Sequence, residues 1–346
     1  MTKFTFRLGC IIFMLLVVSA SCREKPMVTP QPILKIGLVG GLSGFSDAGF
    51  NENILKGFKQ AAVDFPQIAY YSVECKTVAD FSKGINYFLS NRFDLIITAT
   101  YDASEATISA ANTNPATDFL ILDYSIPSPP PNLLCAVFDV DQASFPCGFL
   151  AAYWAYKQNK SNPVTGFVAG PEIPEIRQFS VSYINGVSYF NNLYNKNVNT
   201  IGCYATSFSD TLQGARLADS LMQKNASVIF AFAGKTGNGA LYKVKDAGKW
   251  AIGVDVDQFS SIPLVGPILL TSCMKELDVM VYNTIKDYYN FYFQGGKIIH
   301  GNLTNLGVGM APFHNFETMI PDSIKSAISN IQTGIKNGTI KTGWPE

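Results

Sequence analysis

Lys35 to Val39 (KIGLV), Asn53 to Asp64 (NILKGFKQAAVD) and Ala69 to Val73 (AYYSV) follow one another near the start of the chain and read as strand, helix and strand. In the middle stretch Ile54, Leu55, Phe58 and Ala62 fall on one face of a 3.6-residue period, while the flanking runs are short, apolar and bounded by turn residues. Two strands joined through a helix pair in parallel. The same alternation continues through a helical pattern at Phe81 to Asn91 and strand patterns at Asp94 to Thr98 (DLIIT) and Phe119 to Asp123 (FLILD). A second series follows at Thr165 to Ala169, Thr200 to Tyr204, Ser227 to Phe232 and Trp250 to Val254, each with a helix-like stretch after it. The fold class is therefore α/β, with two doubly wound parallel sheets covered by helices on both faces. Two such lobes in one chain face each other across a cleft. Ligands of open α/β sheets sit beyond the carboxyl ends of the strands, so the loops after each strand are the place to look.

The rest of the composition agrees with two folded lobes. The chain has 346 residues, enough for about two domains of ~150 residues. Its 26 basic and 26 acidic residues cancel, and only 15% of positions are charged, so no nucleic-acid footprint is present. With 47% hydrophobic and 13% aromatic residues the sequence is far from the composition of disordered chains.

Lys3 and Arg7 precede an apolar run from Leu8 to Val18, closed by Ser19-Ala20-Ser21 just before Cys22. A charged head, a short apolar core and small residues at the exit describe a secretory signal over residues 1–21. Small residues directly before a cysteine are similar to a bacterial lipobox, with Ser19 where Leu is usual, and mark Cys22 for lipidation. Residues 22–32, with three prolines, read as an extended tether. Past residue 32 no apolar run reaches the ~18 residues of a membrane span. Outside the leader stand five cysteines, Cys75, Cys135, Cys147, Cys203 and Cys273, an odd number with no C-x-x-C pair. Neither a disulfide framework nor a zinc site is legible, and these thiols are expected in the core.

Catalytic chemistry finds little support. His300 and His314 are the two histidines and form no H-E-x-x-H pattern, so neither a metal centre nor a triad is expected. Gly234-Lys235-Thr236 looks like the end of a phosphate loop, but Ile229 stands where that loop needs glycine. Gly40-Gly41-Leu42-Ser43-Gly44 after the first strand reads as a turn in preference to an anion cradle. What remains at the strand ends is Phe50, Asn51, Asp123, Phe208, Gly234, Asp255, Asp257 and Lys275. Aromatic faces with fixed carboxylates and a lysine suit a flat ring bearing a hydroxylated sugar. This is a binding site with no nucleophile, general base, metal or cofactor, and no enzyme is expected. Asp255 and Asp257 both also qualify as helix caps.

All of these residues except Asp123 fall in segments that carry a resemblance. Ser46-Asp47-Ala48-Gly49-Phe50-Asn51, Phe167 to Pro174 with Arg177 and Phe179, Ser207 to Asp210, Ala233 to Gly237, Ile252 to Gln258 (IGVDVDQ) and Thr271 to Lys275 occur in this order. From about Ile36 to Pro312 the chain resembles the basic membrane protein family of bacterial lipoproteins, the purine-nucleoside-binding components of ABC transporters. The resemblance implies a type I periplasmic-binding-protein fold, with three crossings between the lobes. It places Phe50 and Phe208 on either side of the base, Asp123 on its polar edge, Asp255 or Asp257 with Lys275 on the ribose, and Asn51 and Gly234 in the wall. Gly41 stands where relatives carry an acid, and Ala48 and Gly49 replace a Lys and a Ser.

The expected division is residues 33–140 plus 272–300 for one lobe and 141–271 plus 301–346 for the other. The expected role is a lipid-anchored solute-binding protein that delivers a purine nucleoside or related ribosylated ligand to an ABC permease from the cell envelope as a monomer. Two alternatives stay open: a surface interaction protein or adhesin, and a binding protein for a sugar-like ligand.

Overall fold

The computed structural model describes residues 34–345. The expected signal segment, the lipidation site at Cys22 and the tether lie outside the described residues. The first sheet begins with β1 (Leu34–Gly40), α1 (Phe50–Asp64), β2 (Ile68–Glu74), α2 (Val78–Ser90), β3 (Leu95–Ala99), α3 (Ser104–Thr113), β4 (Asp118–Leu122) and β5 (Leu133–Phe138). The chain then crosses to a second lobe. There it forms α4 (Asp141–Gln158), β6 (Val164–Ala169), α5 (Pro174–Tyr194), β7 (Asn199–Tyr204), α6 (Thr211–Gln223), β8 (Ala226–Phe232), α7 (Gly234–Asp246), β9 (Trp250–Asp255), α8 (Gln258–Ser261) and β10 (Leu269–Lys275). It returns with α9 (Leu277–Tyr289) and β11 (Lys297–Gly301), and crosses a third time to β12 (Val308–Met310) and α10 (Asp322–Lys336).

The strand orders are β11-β5-β4-β3-β1-β2 and β12-β10-β9-β8-β6-β7. Every pairing is parallel except β12 on β10. These are two doubly wound lobes joined by three crossings, the type I periplasmic-binding-protein arrangement. β3, β6 and β8 are buried along their whole length, as continuous apolar runs in the middle of a two-sided sheet must be. The edge strands β2 and β7 are mostly half-buried or exposed. Because β10 pairs with β9, the second crossing falls after Lys275, a few residues beyond the expected boundary between 271 and 272.

One apolar cluster lines a face of both sheets under α1, α4, α5, α9 and α10. Separate clusters fill the space under α2 and α3 and under α6 and α7. Helices α4 and α5 touch through glycine: a methyl at Gly148 would lie 2.1 Å from the Tyr183 carbonyl oxygen, and one at Gly186 would lie 1.9 Å from that of Phe145. The five cysteines of the described residues are free thiols, four of them buried. No helix among the described residues is long and apolar enough to cross a membrane.

Candidate ligand-binding cleft

In each sheet the winding direction reverses between two neighbouring strands, β1 and β3 in the first and β6 and β8 in the second. A cavity of about 270 Å³ lies at the carboxyl ends of these strands, with Gly41, Thr100 and Asp123 on one side and Pro171, Gly234 and Asp255 on the other. That is where an open α/β sheet binds its ligand. Several of these turns are made with left-handed backbone at residues other than glycine: φ is 73° at Thr100, 59° at Asp123 and 65° at Asp255. Such backbone costs on the order of 1–3 kcal/mol per residue and collects at ligand sites.

Seven of the eight residues expected from the sequence share this cavity: Phe50, Asn51, Asp123, Phe208, Gly234, Asp255 and Lys275. Asp257 does not join them. Its carboxylate caps α8 by accepting from the Phe259 amide at 3.3 Å, and it pairs with His314 Nε2 at 2.9 Å. The His314 ring in turn stacks on Phe259 with centroids 4.0 Å apart. Of the two acids in IGVDVDQ, Asp255 at the strand end faces the cavity.

Phe50 opens α1 in the first lobe, and Phe208 stands on the loop between β7 and α6 in the second. The Phe208 ring rests on bare main chain: a methyl at Gly170 would lie 2.2 Å from its Cε1. Its loop is fixed from below, because the Thr236 hydroxyl donates to the Ser207 carbonyl at 2.7 Å and the Thr236 amide to the Phe208 carbonyl at 3.1 Å. The threonine of the Gly234-Lys235-Thr236 run is thus engaged in holding this aromatic loop. The Gly40 to Gly44 segment closes as a turn, with the Gly44 amide donating to the Gly41 carbonyl at 3.0 Å.

Lys275, at the end of β10, is 4% exposed and donates to Asp123 Oδ2 at 2.6 Å. Its ammonium also lies 5.5 Å from the Phe50 ring centroid and 5.1 Å from that of Phe179. Burial works against the charge, but Asp123 and Asp255 together outweigh it and hold the ammonium above its ordinary range. Asp255 is 8% exposed and its side chain takes no hydrogen bond from the described residues. Burial, reinforced by Asp123 and Asp47 and opposed by Lys275, lifts its carboxyl to about 7.

Asn51 has a structural share in the wall. Its Oδ1 accepts from the Gly41 amide at 2.9 Å and its Nδ2 donates to Asp47 at 2.8 Å, while Asp47 also takes the amides of Gly49, Asn51 and Glu52 at the start of α1. A methyl at Gly41 would meet Asn51 Oδ1 at 2.7 Å, so no larger side chain fits at position 41 with Asn51 in this place. The same loop ties the lobes together. Asn238 on α7 donates to the Asp47 carbonyl, and Ser261 on α8 donates to the Ala48 carbonyl, both at 2.8 Å.

The cavity also contains residues not expected to line it: Tyr101, Asp102 and Glu175, and Phe179, which was quoted only for the resemblance. Tyr101 and Asp102 directly follow a strand, so the rule of looking just past each strand reaches them. Glu175 lies just past the quoted Phe167 to Pro174 run, in the first turn of a helix, where an acid has an ordinary reading beside the helix dipole. A second cavity of about 490 Å³, beside the crossings, is lined by Val137, Phe138, Asp139, His300 and Trp344 and shares Asp123 and Glu175 with the first. Among the described residues no cluster of His, Cys, Asp and Glu is arranged to hold a metal ion.

Residues 38–342 match the family model of PnrA-like ABC transporter substrate-binding proteins. Basic membrane protein B of Borreliella burgdorferi is 27% identical over 321 residues, covering 90% of this chain and 90% of the relative. The ABC transporter nucleoside-binding protein BmpA of Lactococcus lactis is 26% identical, covering 87% of this chain and 88% of the relative. In three dimensions the chain is similar to a solute-binding protein of an ABC transporter system from Aeropyrum pernix, with a TM-score of 0.83 at 22% identity, covering 89% of this chain and 92% of that one. The chain belongs to the Bmp family, the PnrA-like substrate-binding proteins of ABC transporters.

Proposed function

We propose that this substrate-binding protein is anchored through a lipid on Cys22 and carries a purine nucleoside, or a closely related ribosylated ring, to its permease. The observation that carries the reading is one cavity bordered by a phenylalanine from each lobe, Phe50 and Phe208, together with the open carboxylate of Asp255 and the buried ammonium of Lys275. Two aromatic faces suit a flat base, and stacking of this kind contributes about 1–3 kcal/mol per base. Asp255, which takes no side-chain hydrogen bond from the described residues, suits the paired hydroxyls of a ribose, with Lys275 beside it. Asp123, Gly234 and Asn51 complete the wall. The printed name of the lactococcal relative, a nucleoside-binding protein, supports the ligand class. An excess of acids around a single lysine favours an uncharged nucleoside over a phosphate ester. Nothing in the cavity supplies a nucleophile with its base, and the role is capture and release.

Thermal melting of residues 32–346 against nucleosides, free bases and simple sugars tests this. A ligand that binds only the folded chain adds about 2.7 kcal/mol at a hundredfold excess over Kd. Purine nucleosides are expected to raise the midpoint. A rise with sugars alone would move the ligand class, and no rise with any compound would sink the reading in favour of a surface interaction role.

A further inference from the structure

Asp123 and Glu175 are the two acids that border both cavities, so together they form the partition between the ligand cavity and the space beside the crossings. They come from opposite lobes: Asp123 follows β4, and Glu175 lies in the first turn of α5. Their hydrogen bonding is unequal. Asp123 commits Oδ2 to Lys275 at 2.6 Å and keeps Oδ1 available, whereas Glu175 Oε2 is buried with no partner. The wall next to Glu175 is apolar, from Ile173, Ile176 and Phe179. Burial raises the Glu175 carboxyl above its ordinary range, opposed by a hydrogen bond from its own backbone amide, with Asp123 adding to the rise and Lys275 opposing it. An orphaned carboxyl oxygen in such a place is destabilising until a donor reaches it, and the described residues supply none.

We infer that Glu175 is a specificity-determining residue which, with Asp123, reads a ring edge carrying two adjacent N–H donors: a ring N–H beside an exocyclic amine. The inference rests on the nucleoside reading above. Two acceptors, one from each lobe, match the edge of a 2-amino-6-oxopurine. A 6-oxopurine without the amine leaves Glu175 unpartnered. A 6-aminopurine turns a ring nitrogen lone pair toward a carboxylate. The expected order of affinity is therefore guanosine, then inosine, then adenosine. A site built to hydrogen-bond an N–H discriminates strongly against the analogue that lacks it, because its own buried group is left unpaired.

The test is calorimetric titration of the full chain and its Glu175→Leu and Glu175→Gln variants with the three nucleosides. Wild type is expected to bind guanosine at least about tenfold more tightly than inosine. In Glu175→Leu that ratio should fall to within about threefold, with a melting point near wild type and measurable inosine binding reporting an intact cleft. Glu175→Gln, which keeps one acceptor in the same shape, should lie between. A wild-type ratio near one, or a ratio that survives both variants, overturns the role of Glu175 while leaving the nucleoside reading in place. Failure of wild type to bind any of the three overturns both.

Discussion

Asp255 holds a carboxyl in surroundings that favour its protonated form, and this has consequences of opposite sign for folding and for binding. With its pKa raised from 3.8 to about 7, the folded chain keeps a proton that the unfolded chain has already released in between. The contribution of this group to stability is therefore greatest at low pH and declines as pH rises through about 7. Asp255→Asn removes the decline. Its ligand-free form is expected to be more stable than wild type at pH 8 by about 1–3 kcal/mol, with the gap narrowing as pH falls below 7 and closing near pH 4, in denaturant melts. If ribose hydroxyls donate to the ionised carboxylate, nucleoside affinity of wild type should climb between pH 5 and pH 8, and the Asn variant should lose that dependence together with most of its affinity. Phe208→Ala should weaken binding by about 1–3 kcal/mol in titration of a chain that melts normally; an unchanged Kd would remove Phe208 from the stack. The sequence put Asp255 and Asp257 on equal terms, since two acids two residues apart at a strand end both suit a cap and a pocket. Only the left-handed turn at Asp255, and the His314 that claims Asp257, separate them.

Secondary structure was most legible where one signal dominated. β1, β3, β4 and β8 are apolar runs bounded by turns, and α1 and α2 show a clear stripe. β5 is a short apolar run behind a proline-rich stretch, Ser125 to Pro131, and reads as part of that loop until β4 pairs with it. β11 mixes Lys297 and His300 with two isoleucines, and β12 has three residues; both exist because a neighbouring strand offers an edge, which is tertiary information. The close contact of α4 and α5 is an element-level feature with a sharp test. At Gly186 a methyl would overlap the Phe145 carbonyl of the facing helix, so Gly186→Ala must push the helices apart. Although alanine is the better helix former, the variant is expected to lose about 1–3 kcal/mol in chemical denaturation, because overpacking outweighs propensity. A neutral or stabilising result would mean that the two helices can separate without loss.

Across the whole molecule, the two parallel sheets follow from alternation, but their strand order and the crossings do not. Where the chain leaves a sheet is set by which strand finds which edge, and β10 carries the second lobe to Lys275. The lobes are also tied at the cleft mouth, by Asn238 and Ser261 donating to the main chain at Asp47 and Ala48. Removing both donors in Asn238→Ala/Ser261→Ala should favour separated lobes, seen as a larger radius of gyration in small-angle scattering without ligand and a faster release of bound ligand. Scattering and release rates equal to wild type would show that these bonds do not hold the closed form. The Phe208 shelf adds a condition to closure. A ring laid on the bare backbone at Gly170 has nowhere to retreat, so the gap left between the lobes is set by the thickness of whatever lies against it. On the proposed reading the cleft would work as a feeler gauge: a planar ring would let the rim bonds form, whereas a puckered one would wedge the jaws apart and present to any docking partner the outline of an empty protein.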